Sequence, residues 1–593
     1  MSHTPSPPTP AAWLDENLVR RAAQASRQGL SYRAALEQLL LELDDVSAGR
    51  LLMLLREGRA AWLPMISSQR GEALLIGDPL SGAAVPLARL GLKLTILDPG
   101  GARSELAAWR DRELGLGSAR FVPLEGPARL PFADDSFDLV IRESEAPPLG
   151  LPLALELAEL ERVGRGELAW IVENRLAYKR SSGERASFAV ARPLEFLTRA
   201  LFGSRRGERT AVGYRAALRS PEQTTRPFAL YPHSHDYSHV VGLNRAPKLS
   251  IGPGEAANRL KLAGLKLGLF PWLTPSFLFL RSSRPESLLD RSLKEIAGEL
   301  ELPALEAEHL IATRGNTSVV LTRSPDEDPR GRLALHIPLS PAQETQTRRH
   351  HARLVCLERE FPSVPAPRAR FEGRLGGLYL CAEQRLDGWN GSQFTGDLDQ
   401  RKRLLPQLAK ALANLRSSDP QVAGPEDIER LVDRRVRAAA PRAGRPQTQQ
   451  ALEQMGEQLR EVLSATPFPR VLHHADLRAK HVQTNRNGDL AGLLDWGSSA
   501  ISDLPYFDLL NLILHDRKQE HDTSLGEAWE LVRTSNGLRP FERAALEDYA
   551  ERLGLTAAYT RAIETTFPLL VGAMAESNWD FSRPRWIHRS LGI

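Results

Sequence analysis

Apolar residues recur at helical spacing from Trp13 to Leu63, with Leu36, Leu39, Leu40 and Leu43 followed by Leu51, Leu52, Leu54 and Leu55, so residues 12–70 are predicted to be a helical segment. The pattern then changes. Glu72 to Gly82 (EALLIGDPLSG) is a continuous apolar run breaking into a glycine-bearing turn, Ala83 to Leu90 returns to helical spacing, and Leu92 to Asp98 (LKLTILD) is a second buried run ending in an acid. Buried runs alternating with helical stretches predict parallel strands covered by helices. The most apolar stretch, Leu265 to Leu280, is interrupted by Pro271 and Pro275, which suits a segment packed inside the protein and not a membrane span.

Beyond a junction near Ser282-Ser283-Arg284-Pro285 the runs shorten. Gly315 to Val320 reads as a small-residue turn entering a strand, Arg332 to Pro338 as the next strand, Gln343 to Arg359 as a helix, and Gly377 to Gly388 (GLYLCAEQRLDG) as an edge strand and hinge. Leu404 to Leu415 and Ala451 to Leu463 are spaced as helices, whereas Ala438 to Gln450, polar and rich in Pro and Arg, is expected to be a surface loop. Residues 1–11 are Pro-rich and expected to be disordered. The domains so outlined are the 1–11 tail, the 12–70 helical segment, 71–285, a small sheet-containing lobe at 286–384 and a helical lobe at 385–593.

Composition narrows the classes. With 593 residues, 42% hydrophobic and 25% charged, the chain is ordinary for a multidomain globular protein. Its formal charge of +4 comes from 77 basic and 73 acidic groups, which gives no reason to expect a nucleic-acid partner. Two cysteines, Cys356 and Cys381, with no secretory pattern point to a reducing, cytoplasmic setting, and no run is long and apolar enough to imply a membrane partner.

Two stretches carry candidate chemistry. In the first, a strand, a tight turn, a helix and a strand-terminal carboxylate make a nucleoside site, the acid accepting ribose hydroxyls. Alone, the glycine pattern suits a plain strand-to-helix turn equally well. In the second, Val471 to Asn511, His474-Ala475-Asp476 follows the run Phe468 to Leu472, and Asp495 ends Leu490 to Leu494, entered through the turn Asn487-Gly488. A hairpin there would bring together two carboxylates about twenty residues apart. Phosphoryl transfer needs that pair, one positioning the attacking hydroxyl and one holding a metal.

The second stretch resembles the aminoglycoside phosphotransferase and choline kinase family, whose H-G-D-x-H-P-x-N, I-D-W and D-P-x-x-D-L patterns stand here as HADLRAKH, LLDW and DLPYFDL. The resemblance implies an ATP-dependent kinase-like fold using Mg2+ or Mn2+. Asp476 would be the catalytic base, with His474 in the same catalytic loop, Asp495 a metal ligand, and Asp508 a brace from the next helix. His481 stands where the family keeps a metal-binding Asn, and His336 where it keeps a phosphate-pairing Lys. Gly315, Asn316 and Ser318 would lie over the nucleotide.

Ala128 to Ile141 (ARLPFADDSFDLVI) and Leu160 to Trp170 (LERVGRGELAW) resemble the fourth-strand motif and the following helix-to-strand turn of class I S-adenosylmethionine-dependent methyltransferases. By that resemblance Gly77 and Gly82 flank the amino acid moiety of S-adenosylmethionine, Asp98 holds its ribose, and Glu125, beside Gly126, stands in for the acid near the adenine. Phe132 and Asp138 organise the fourth strand.

The expected fold class is therefore α/β plus α+β, a Rossmann-like methyltransferase domain followed by a two-lobed protein-kinase-like domain. Three readings follow: a bifunctional enzyme acting on a hydroxylated small molecule, a phosphotransferase with an inactive methyltransferase-like half, or a non-catalytic scaffold. Three further features are expected to be structural. The His233-Ser234-His235-Asp236 stretch reads as a solvated turn, His350-His351 as the exposed face of a helix, and Asp326-Glu327-Asp328 as a hairpin tip.

Overall fold

The computed structural model describes residues 14–574 except 26–27, 99–100, 118, 124–128, 145–150, 179–193, 195–196, 199–207, 220–222, 244–266, 285, 395, 444 and 535–536. The Pro-rich tail lies outside the described residues. The chain divides into two compact units, one of residues 1–249, 254–344 and 371–382 and the other of 250–253, 345–370 and 383–593.

Three helices, Glu16–Ala25, Tyr32–Glu42 and Asp45–Leu54, open the first unit. Ser31 and Asp44 cap the second and third by accepting backbone N–H bonds of their first turns. Thirteen strands then share one sheet: β1 (Gly71–Ile76), β2 (Leu92–Asp98), β3 (Arg120–Pro123), β4 (Phe137–Arg142), β5 (Gly164–Glu173), β6 (Thr224–Tyr231), β7 (His239–Gly242), β8 (Ser276–Ser282), β9 (Glu306–Ala312), β10 (Thr317–Arg323), β11 (Leu333–Pro338), β12 (Ala369–Leu375) and β13 (Leu378–Gln384).

Strands β3-β2-β1-β4-β5 are parallel neighbours in that order, the doubly wound arrangement whose direction of winding reverses between β1 and β4. The remaining order is β8-β6-β7-β9-β10-β11-β13-β12, beginning with β8 antiparallel to β5. Strand β7 pairs with β9 through His239–Ile311 and Val240–Leu310, so hydrogen bonding is continuous across residue 285. One core, containing Leu139, Ile171, Leu230, Leu278, Leu310, Leu335 and Leu380, draws on strands from both sides of that position. The run Leu265 to Leu280 contributes β8, every residue of which is buried. Strand β13, expected at an edge, lies between β12 and β11, and β12 forms the edge.

In the second unit, long helices at Leu398–Ala413, Pro446–Ala465, Phe507–His521 and Pro540–Leu553 enclose a core that includes Leu408, Leu459, Phe468, Trp496, Leu510 and Phe567. The expected loop Ala438 to Gln450 is instead a helix end, a single tight turn and a new helix starting at Pro446, with Ala439, Ala440 and Ala443 buried. Alanine favours helix, and Pro is preorganised for a helix's first position. Short strands complete the unit: β14 (Trp389–Asn390), β15 (Val471–His473), β16 (Val482–Thr484), β17 (Leu490–Leu493) and β18 (Ala500–Asp503).

Candidate active site

The hairpin that positions Asp495 joins β16 to β17 through the Asn487-Gly488 turn, where Gly488 has φ 83°. Strand β15, which leads into Asp476, pairs not with this hairpin but with β18. The loop leaving β15 is held by Asp508, in the first turn of the helix Phe507–His521. Its carboxylate accepts the backbone N–H groups of His474 (2.7 Å) and Ala475 (2.9 Å), and Asn511, one turn later, donates to the Leu477 carbonyl (3.1 Å). Ala475 adopts φ 71°, a left-handed conformation that costs a residue with a Cβ about 1–2 kcal/mol, at the position the family pattern fills with Gly.

These constraints bring Asp476, His481 and Asp495 together, with one donor atom from each lying within 4.8 Å of the others. His481 Nδ1 is 2.6 Å from the Asp476 carbonyl oxygen, which can only accept, so Nδ1 carries the proton. Burial pushes this imidazole down to about 4, against the pull of Asp495 and Asp476, so it is neutral near pH 7. Its Nε2 lone pair therefore faces Asp495 Oδ2 at 3.3 Å, two acceptors with no proton between them. A cation resolves that opposition, and a histidine donating its other N–H to a carbonyl is the usual form of a metal ligand. The donor set fits a divalent metal, with the nitrogen favouring Mn2+ over the oxygen-seeking Mg2+.

Enclosure by the protein would raise the Asp495 carboxyl, but His481 and His350, in their protonated forms at low pH, outweigh it and hold the group well below the usual carboxylate range. Asp495 sits at φ 63°, ψ 66°, a left-handed conformation that turns its half-exposed carboxylate toward His481. Asp476 Oδ2 pairs with Arg478 Nη2 (2.5 Å), and Oδ1 has no hydrogen-bond partner among the described residues.

His474, expected in the catalytic loop, makes structural contacts there. Its ring is fully buried, donates Nε2–H to the Leu494 carbonyl (2.9 Å) and stacks on His481, so it ties the Asp476 loop to the end of β17. His350, expected on an exposed face, is buried. Its Nε2 is 2.7 Å from Glu383 Oε2, and its Nδ1 accepts the Trp496 N–H at 3.0 Å, adjacent to Asp495. The sequence signal for it is weak, because the helix Pro341–Glu360 is polar on several faces.

In the first unit the expected cofactor residues meet other residues of the chain. At the C-terminal ends of β1 and β4, Glu143 is 2% exposed and its Oε1 binds Ser81 Oγ (2.9 Å) and Arg59 Nε (3.5 Å). A Cβ on Gly77 would lie 2.5 Å from Glu143 Oε2. A Cβ on Gly82 would lie 2.3 Å from the Arg56 backbone, and Gly82 N–H already donates to the Leu54 carbonyl (2.8 Å). Both glycines are thus approached closely by other parts of the chain. Asp78 pairs with Arg103. The Asp98 side chain, Glu125 and Gly126 lie outside the described residues. Asp138 binds Arg165 and the Glu72 N–H, and Phe132 packs edge-on against Phe137, so both organise the fourth strand as expected.

The turn expected over a nucleotide is engaged by the same segment. Asn316 Oδ1 accepts the Gly58 N–H (3.1 Å) while its Nδ2 donates to Glu57, and the buried Ser318 Oγ donates to the Ala61 carbonyl (2.8 Å). Gly315 makes no close approach that would demand glycine, and His336 is half-buried in β11 opposite Val319. In the His233 stretch, expected to be a solvated turn, His233 and Ser234 are buried and His235 and Asp236 half-buried. Tyr237 Oη donates to the Arg59 carbonyl and accepts the Ala61 N–H.

Residues 315–552 match the model of the phosphotransferase enzyme family. No curated protein matches the chain. Among solved structures, ADP-bound aminoglycoside phosphotransferase APH(2'')-Ib is similar at 14% identity over 50% of this chain and 98% of that one, with a TM-score of 0.29. A choline/ethanolamine kinase family protein from Mesorhizobium loti is similar at 15% identity over 51% and 92%, with a TM-score of 0.31. The bifunctional kinase-methyltransferase WbdD is similar at 12% identity over 92% of both chains, with a TM-score of 0.25. At scores this low the family match over 315–552 is the finding that bears on function.

Proposed function

We propose, from the premise that the C-terminal region carries a phosphotransferase-family domain and that the chain is a transferase, that it moves the γ-phosphoryl group of ATP to a hydroxyl of a small molecule at Asp476. Asp476 Oδ1 takes the proton of the acceptor hydroxyl as the acceptor oxygen forms its bond to phosphorus. The bond from phosphorus to the bridging oxygen breaks, and ADP leaves with that electron pair. Asp495 and His481 would hold a divalent metal, which would neutralise phosphate charge. Lys480, next to His481 in the chain, adds a cation near the site. His474, Asp508 and Asn511 act by fixing the loop that carries the base.

The observation that carries this reading is the opposed pair of acceptors, His481 Nε2 and Asp495 Oδ2, beside a base with a free oxygen. We read the first unit as a methyltransferase-like scaffold. The pairing of Glu143 with Ser81 and Arg59, and the Leu54–Arg56 backbone against Gly82, leave groups that do not fit the amino acid moiety of S-adenosylmethionine. A screen for acceptor-dependent ADP release by the full chain with Mn2+ and Mg2+ tests the proposal. Asp476→Asn should lower the rate roughly 10²–10⁴-fold, and an unchanged rate in that variant would refute the assignment.

A further inference from the structure

One face of the helix Phe507–His521 runs past the catalytic loop. Asp508 and Asn511 hold the loop, and at the same helical spacing His515 and Lys518 follow, beside the loop residue Arg478. Arg478 reaches Asp476 with Nη2, and its Nε is buried without a hydrogen-bond partner. Lys518 is half-buried and its ammonium has neither ion pair nor hydrogen bond among the described residues. The helix's own acids do not answer it, since Asp516 pairs with Arg401, and Glu520 with Arg401 and Arg539. Desolvation and then the Arg478 charge lower the Lys518 ammonium, and burial followed by Arg478 lowers His515 to about 3, so that imidazole is neutral near pH 7 and adds no charge of its own.

Two half-buried cations, Arg478 and Lys518, thus stand against one carboxylate, Asp476. Partly desolvated positive charge without counterions attracts an anion and repels a cation. We infer that the acceptor is a hydroxylated small molecule carrying a phosphate or carboxylate, held by Arg478 and Lys518 while its hydroxyl faces Asp476. This inference rests on the phosphotransferase reading and adds a substrate class to it. A polycationic or quaternary ammonium acceptor would meet repulsion at the same place.

The test is calorimetric titration of the full chain, first with Mn·ATP, then, with Mn and a non-hydrolysable ATP analogue bound, with D-glucose 6-phosphate, D-glucuronate, D-glucose and kanamycin. The anionic sugars should bind at least about tenfold more tightly than glucose, and kanamycin should not bind. Lys518→Met should remove the preference with Mn·ATP affinity unchanged, and Lys518→Arg should restore it. Equal binding of neutral and anionic sugars, binding of kanamycin, a preference that survives Lys518→Met, or no binding of either anion by nucleotide-loaded protein would overturn the inference. Failure of the wild-type chain to bind Mn·ATP would instead overturn the phosphotransferase reading beneath it.

Discussion

The loop end of β17 and the C-terminal ends of β1 and β4 both carry motif residues facing one another, yet their polar groups are satisfied differently. At Asp495 the carboxylate faces another acceptor, His481 Nε2, and the base Asp476 keeps a free oxygen. Around Gly77 and Gly82 several polar groups find partners within the chain: Glu143 Oε1 has Ser81 and Arg59, Asp78 has Arg103, and Gly82 N–H has the Leu54 carbonyl. Groups left opposed in the protein call for a ligand, while groups already paired serve stability. A motif match alone does not separate the two cases, whereas the partners of its polar atoms do.

Removing one partner should therefore have opposite consequences in the two places. Glu143→Ala leaves Arg59 buried without its carboxylate and should cost roughly 3–5 kcal/mol, read as a lowered unfolding midpoint, with phosphoryl transfer per folded molecule retained. Asp495→Ala should leave metal-free stability unchanged or higher, because it relieves the opposition to His481, and should abolish metal binding. Equal destabilisation by both variants would break the contrast.

The two units should also lose stability in different pH windows. Burial lowers His473, but Asp508 at 3.0 Å and Asp503 at 3.6 Å outweigh it and raise the group to about 9 from 6.5. Its contribution in the second unit is present below about 6.5 and lost as pH rises through about 9, by roughly 3 kcal/mol. Glu57 in the first unit is raised by burial to about 7 from 4.5, so its ionisation withdraws stability between those values. Thermal melts from pH 5 to 10 should flatten in the upper window in His473→Gln and in the lower window in Glu57→Gln.

His350→Leu should leave the Trp496 N–H without an acceptor, costing about 1–3 kcal/mol and weakening Mn2+ binding by roughly 10–100-fold. His350→Gln, which can still accept, should recover part of both. The smallest effect expected is for Ala475→Gly, where release from φ 71° should raise stability by about 0.5–1 kcal/mol. No gain would mean that the loop fixes this conformation without strain.

Much of the second unit's site was legible in sequence because its residues are local. Asp476, His481, Asp495 and Asp508 fall within one stretch whose strand and turn signals set their spacing. His350 was not legible, since an Arg-rich helix gives no periodicity from which to choose its inward face. The engagement of the first unit's motifs was hidden for another reason. Gly58 lies 258 positions from Asn316, and Ala61 lies 257 from Ser318, so no local pattern reports their bonds. The continuity of the sheet across residue 285 was equally invisible, because a strand's neighbours are set by pairing and not by order in the chain.

The most direct test of the central claim, that the second unit holds a metal for phosphoryl transfer while the first does not take S-adenosylmethionine, is electron paramagnetic resonance of Mn2+ with the full chain and ATP. Calorimetric titration of S-adenosylmethionine on the same sample completes it. The account predicts a bound Mn2+ signal that strengthens with ATP and disappears in Asp495→Asn, with no heat from S-adenosylmethionine. Free Mn2+ throughout, together with saturable binding of S-adenosylmethionine, would contradict it.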